Sequence, residues 1–536
     1  MKRALTFICA LLLCGAISAQ QKTYYVSPSG DDGASGLSAG SAWKTLDKVN
    51  STVFKPGDRI LFKSGGVWHG QLKMQGSGAE GKPITLSSYG GGKRPVIDMD
   101  DAEGAAILIA DQSWWVVEGM EATSGSAPVL GIGRQGIVIT GAAEGKDFSH
   151  FVVRDNYVHD IWGQMGGDTE YCGYYSCGIL VRVKADRRRA RTDKDYKPAT
   201  MNDVLIENNR IERMDKCGII SWGPRNNVVV RGNYIDNMGG DGIFVNGPYR
   251  GLIEYNEIHR TCLRSGHADL PGGEKWWPHT AACWIQDTEG TIMQFNQVYD
   301  TGREPKNGDG EAYDFDFNCK NCILQYNYSK ENNGFMLLMY RIQDNIVRYN
   351  ISENDKTHLI QMQGPLSDNT LIYNNVFYVD HGTLDLDFFQ GNAGDNHRSP
   401  DEVGAIFYNN IFYATGQGRF RYAYSRRVDE TTFEFDEVSR PSFAPGTMFR
   451  GNCYFGPWKN ALPEDPQAIL ADPMFEAPGT GGLGIETLKG YILRKGSPCI
   501  DAGVKVPGAG ERDYFGNPLK DGKTDVGAFE ANCPLP

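Results

Sequence analysis

The sequence predicts an all-β solenoid, a parallel β-helix, and three observations carry that reading. Short strands bounded by Gly or Pro run the whole length, with no long helical period anywhere. From residue 150 an Asn-centred pentapeptide recurs, with shortest spacings of 23 to 25 residues. Each copy is followed by a second short strand with its own in/out pattern. One strand–Asn–strand unit per turn, without a helix, is what a parallel β-helix requires.

In chain order, Met1–Ala19 has the form of a secretory signal. Lys2 and Arg3 precede the apolar run Ala4–Ala16, and Ile17-Ser18-Ala19 offers small residues for cleavage near Ala19. Its removal takes the net charge from -12 to -14, since two cations leave with it. No later apolar run reaches membrane-spanning length, so the expected product is exported, secreted or periplasmic, without a membrane span, and a monomer. With 54 Lys+Arg against 66 Asp+Glu, there is no basic excess of the kind nucleic acid demands. An oxidising compartment permits disulfides, and Cys172–Cys177 and Cys499–Cys533 are the pairs considered. Cys319-Lys320-Asn321-Cys322 has zinc-knuckle spacing but no second pair at ligand distance, so packing is the preferred reading.

Residues 20–150 form an N-terminal cap and the first coils. Thr23–Ser27 is a strand ending in a turn, Ser41–Val49 a short amphipathic helix, and Ile60–Phe62, Ile84–Ser87, Ala106–Ile109 and Trp115–Glu118 are further strands. Residues 151–455 hold the central coils. Their repeat centres on Asn156, Asn209, Asn233, Asn256, Asn296, Asn327, Asn350, Asn375, Asn410 and Asn452. An Asn at the same bend of every coil can stack into a ladder whose amides bond from coil to coil. Residues 456–536 close the solenoid, with Asp501 and Asp525 expected to make turn bonds.

The second strands are Gly178–Arg182, Gly218–Trp222, Gly242–Asn246, Ala282–Asp287, Ala312–Phe317, Gly334–Met339, Thr357–Gln363 and Gly382–Phe388. Alternation turns Leu180/Arg182, Ile220/Trp222, Phe244/Asn246, Trp284/Gln286, Asp314/Asp316, Met336/Leu338, Gln361/Gln363 and Asp385/Asp387 outward, and Phe315/Phe317 and Phe335/Leu337 inward. The outward face then reads as a long groove with Asp314 and Asp316 at its centre. Trp222, Asp241, Asn246 and Trp284 lie on one side, Asp385 and Asp387 on the other. Two neighbouring acids repel and cost solvation, so a purely structural sheet seldom places them together.

These residues resemble the pectate-lyase-like superfamily of right-handed parallel β-helices, and more narrowly the secreted polysaccharide-degrading β-helix proteins of Bacteroidetes, of the glycoside hydrolase family 141 kind. The resemblance rests on three stretches. One is Tyr24-Tyr25-Val26-Ser27-Pro28-Ser29-Gly30 with Trp43-Lys44-Thr45 and Pro56-Gly57-Asp58. Another is Asp314-Phe315-Asp316 with 322–329, and the last is Gly496–Gly503 with Asp525–Glu530. It implies a single-stranded right-handed β-helix acting on a polysaccharide or oligosaccharide, and leaves the reaction open among hydrolase, lyase, epimerase and binding protein.

Glycosidic hydrolysis is the first reading. It needs one carboxyl group to protonate the leaving oxygen and another to attack or to activate water, and Asp314 and Asp316 meet that need. Asp287 and Glu311 are the next nearest acids. The second reading is calcium-assisted β-elimination on a uronic-acid polymer, with Ca²⁺ at Glu311, Asp314 and Asp316 and Arg341 or Lys330 as base; hydrolysis itself needs no cofactor. A third is a non-catalytic sugar-binding face built on the tryptophans. The insertion Cys262–Thr280, with His267, Trp276, Trp277 and His279, supplies residue types suited to a sugar subsite.

Overall fold

The computed structural model describes residues 21–531, apart from residues 126, 128–131, 164–175, 186–188, 190–191, 264–279, 303–308, 340, 356–357, 363–366, 382, 389–403, 422, 428–432, 438–446, 460 and 520–522. Among the described residues, strands stack into three long sheets. The first runs through fourteen strands from Thr23–Val26 to Met448–Arg450, and the third through thirteen from Val67–His69 to Cys453–Phe455. The second, called the groove sheet below, runs through twelve from Leu72–Met74 to Gln417–Arg421. Neighbours within each sheet are one coil apart in sequence and parallel. The first coil is closed by the helix Leu46–Asn50, whose Thr45 cap accepts from the Lys48 amide. Among the described residues no helix is long and apolar enough to cross a membrane.

The Asn repeat forms the expected ladder. The Asn156 Nδ2 donates to Asn209 Oδ1 at 3.0 Å, and the same bond repeats through Asn233, Asn256, Asn296, Asn327, Asn350, Asn375, Asn410 and Asn452. Asp465 ends the series by accepting from Asn452 Nδ2 at 2.9 Å. The residue before each ladder Asn lies in the left-handed region: Asp155, Asn208, Tyr255, Phe295, Tyr326, Tyr349, Asn374 and Asn409, with Gly232 and Gly451. A bulky aromatic there costs roughly 1–2 kcal/mol. The amide ladder holds the bend, and rings stack from coil to coil, Tyr255 on Phe295 at 4.9 Å and Phe295 on Tyr326 at 5.2 Å.

The interior is a continuous apolar column, with Ile179, Val181, Ile219, Ile243, Val245, Cys283, Ile285, Tyr313 and Phe315 all wholly buried. The C-terminal segment packs over the third sheet. Buried Glu353 accepts from Tyr491 Oη at 2.5 Å and Tyr328 Oη at 3.1 Å, and pairs with Lys330 at 2.7 Å. Asp525 makes its expected turn bonds, accepting from the Asp501 and Ala531 amides.

Some expectations are corrected. Phe317 is 37% exposed, because the strand Glu311–Phe315 ends before it and Asn318 turns the chain at φ 61. The strand Gly334–Leu338 sits one residue out of the expected alternation: Met336 aligns with Tyr313, and Leu337 with Asp314. Met336 and Leu338 therefore face the core, and Leu337 faces outward. Cys319 and Cys322 are both buried in the core, donating to the Ile285 and Thr288 carbonyls. Cys177 and Cys499 are free buried thiols; their considered partners, Cys172 and Cys533, lie outside the described residues, as does the leader.

Candidate active site

Strand register places Leu180, Ile220, Phe244, Trp284, Asp314, Leu337 and Gln361 in one outward row, coil upon coil, with Asp387 next in register. Arg182, Trp222, Asn246 and Gln286 form a second row two residues on, which Asp316 continues. The first row is not an open groove. Leu180, Ile220, Phe244 and Trp284 form an apolar cluster of their own on the outer face. Openness begins at the second row, where Trp222 and Gln286 are half-buried, and at exposed Asp287.

Asp314 is 6% exposed and stands where the apolar row meets the acids. Its Oδ1 is buried and meets no hydrogen-bond partner among the described residues. Burial, with the negative charges of Asp316, Glu311, Asp309 and Asp241 added, pushes its carboxyl well above the usual carboxylate range. A charged oxygen without a donor would be costly in such a place, and a protonated one is not. Burial and the surrounding charge thus favour the neutral form of Asp314, at the edge of a dry wall.

Asp316 differs in surroundings. Its Oδ2 accepts from Gln286 Nε2 at 3.1 Å and its Oδ1 from the Phe317 amide at 2.7 Å. Donors of this kind favour the carboxylate form. Asn246 ties the second row to Asp287: its Nδ2 donates to Gln286 Oε1 at 3.0 Å and to Asp287 Oδ2 at 3.1 Å, while Asn318 donates to Asp287 Oδ1 at 2.7 Å. Asp287 is therefore a partner in a polar network at the rim. Glu311 is fully buried, with its Oε2 accepting from the Gly310 amide.

The remaining expected residues divide. Trp222 is half-buried and makes a T-shaped contact with Phe244, at 5.3 Å and 81°. Trp284 is only 6% exposed and stacks face-on against Phe244 at 3.7 Å, so it is wall rather than platform. Asp241 is 1% exposed and does not face the opening; it pairs with Lys216. Lys330 belongs to the third sheet and is engaged by Glu353, which removes it as a base in the groove. Arg341 is exposed in a turn beyond the groove strand. Asp385 and Asp387 occupy register positions beside Arg419 and Arg421. His267, Trp276, Trp277 and His279 lie outside the described residues. Among the described residues one trio of possible ligands brings its atoms within 4.8 Å of one another, exposed His69 and Asp100 with half-buried Asp98. Glu311, Asp314 and Asp316 do not converge in that way.

Sequence reasoning missed Asp309, Lys216 and the role of Gln286. Asp309 is 7% exposed and acts on Asp314 by its charge, but it precedes the strand, so alternation never reaches it. Gln286 carried a signal, its outward position beside Asp316. Lys216 carried none beyond being a lone cation before an apolar strand.

The family described as right handed beta helix region matches residues 135–272 and 200–384. A lacto-N-biosidase of Bifidobacterium longum subsp. longum is 26% identical over 618 aligned residues, covering 95% of this chain and 36% of its own length. The chain thus spans about a third of that relative. Among solved structures, a family 136 lacto-N-biosidase from Eubacterium ramulus superposes with TM-score 0.56 and 23% identity, covering 67% of this chain and 64% of its own. XylC in complex with xylose superposes with TM-score 0.51 and 12% identity, covering 96% and 99%. By fold, the chain is a right-handed parallel β-helix protein.

Proposed function

We propose that this chain is an exported glycoside hydrolase that cleaves a glycosidic bond with Asp314 as general acid and Asp316 as nucleophile or base. The observation that carries the reading is the contrast between the two aspartates. One is dry, surrounded by negative charge and without a partner on its buried oxygen. The other, two residues on, is held by two N–H donors. A buried carboxyl inclined to keep its proton, beside a second one held by N–H donors, is the kind of pair that acid-assisted glycoside cleavage uses. Asp314 gives its proton to the departing oxygen, and Asp316 meets the positive charge growing at the anomeric carbon. Asp309 and Glu311 deepen the negative potential there. Trp222, on the open row, offers a sugar face a flat apolar partner.

The lacto-N-biosidase relatives make a lacto-N-bioside the first substrate to try, alongside a panel of plant- and host-type polysaccharides. New reducing ends without ultraviolet absorbance, abolished in Asp314→Asn and Asp316→Asn, support the reading. An unsaturated uronate product whose formation requires calcium overturns it in favour of a lyase. Absence of any product while sugar still binds makes the chain a carbohydrate-binding protein.

A further inference from the structure

Lys216 and Asp241 are a fully buried ion pair just outside the carboxyl cluster. Lys216 is 0% and Asp241 1% exposed, and their charged atoms lie 2.6 Å apart. Burying two charges costs several kcal/mol per ion unless their geometry and further hydrogen bonds offset it. The chain accommodates the pair closely. A Cβ on Gly240 would come within 2.7 Å of the Lys216 side chain, so the ammonium is seated against glycine. Packing alone would be served by two apolar residues, so the pair calls for another explanation.

The other oxygen of Asp241 supplies one. Its Oδ1 accepts from Trp284 Nε1 at 3.1 Å and from the Ala281 amide at 3.3 Å. Trp284 is the register neighbour of Asp314, roughly 4.8 Å away across the sheet. One face of the indole stacks on the Phe244 ring. The indole is thus held at its N–H edge and on one face, in the row beside the acid.

We propose that Lys216 and Asp241 are positioning residues: the pair pins the Trp284 indole beside Asp314 and so keeps water from that carboxyl. This deepens the hydrolase reading and rests on it for its catalytic meaning, but not for its physical content. A carboxyl beside a fixed indole holds its proton more firmly than one in water. The groups that bear on Asp314 are Asp316, Glu311 and Asp309 from its own segment, Asp241 from two coils away, and Trp284, Leu337 and Gln361 in its row.

The test follows the Asp314 proton directly. Infrared titration of the full chain assigns the protonated Asp314 carbonyl band as the one lost in Asp314→Asn. Asp241→Asn removes a negative charge, and Trp284→Phe removes the N–H anchor while keeping a ring. In both, the band should disappear at a pH lower by about one unit or more. The alkaline limb of kcat/KM should move down with it, with kcat falling more than KM rises. If Asp241→Asn does not fold, Trp284→Phe decides alone. An unmoved band in the folded variants overturns the positioning role, whatever happens to activity. A moved band in a chain that cleaves no glycoside leaves the positioning intact and removes the hydrolase reading.

Discussion

The Asn corner and the groove sheet lie in the same coils, yet they differ in what each coil contributes. At the corner every coil brings the same residue to the same bond, Asn amide to Asn carbonyl, from Asn156 to Asn452. On the outward face of the groove sheet no two successive coils bring the same residue: Phe244, Trp284, Asp314 and Leu337 follow one another in a single row. Repetition marks a structural demand that each coil meets alike. Variation confined to one face, ending in acids that burial makes costly, marks chemistry.

The sharpest way to break that contrast is to change one residue of each kind. Asp314→Asn and Asp316→Asn should each lower kcat/KM by about a thousandfold or more while the chain stays folded. Asn327→Ala should do the reverse. Asn327 is fully buried, donates to the Met293 and Gln325 carbonyls and to Asn350, and accepts from Asn296. Removing it orphans several buried groups and should cost roughly 3 kcal/mol or more, read as a lower calorimetric midpoint.

A smaller effect links the two regions through pH. Asp314 and Asp355 are both buried carboxyls raised by desolvation, Asp355 to about 6. A carboxyl whose folded value exceeds its unfolded one stabilises fully below the unfolded value, about 4, and that contribution is lost as pH rises through the folded one. Calorimetric midpoints should therefore fall between pH about 4 and above 6. Asp314→Asn should raise the midpoint at neutral pH, though it destroys activity. The smallest effect belongs to the ladder's end. Asp465→Ala removes the acceptor of the Gly451, Asn452 and Gln467 amides and of Asn452 Nδ2, at a half-buried end of the ladder where water can take its place, and should cost about 1–2 kcal/mol.

The same contrast governs how much could be read from residues alone. The ladder was legible because a buried amide in a fixed bend tolerates no substitute, so Asn returns at each coil. Trp284, Asp314 and Asp316 were legible as outward residues because polar and apolar positions alternate there. The next strand was not: Phe335, Met336, Leu337 and Leu338 are all apolar, since both faces are covered, and period two vanishes. The expected one-residue slip followed from that. Asp241 was placed in the correct coil but given the wrong task, because alternation says nothing of a residue ahead of its strand, and the cation that claims it lies 25 positions away. Asp309 escaped for the same reason.

The most direct test of the central claim compares leaving groups on one glycone. An aryl group that departs without help needs no proton from Asp314, whereas a saccharide does. Asp314→Asn should therefore lose about a thousandfold on the saccharide but far less on a dinitrophenyl glycoside, while Asp316→Asn loses equally on both. Equal losses for Asp314→Asn on the two substrates, or no loss on either, would contradict its assignment as the acid.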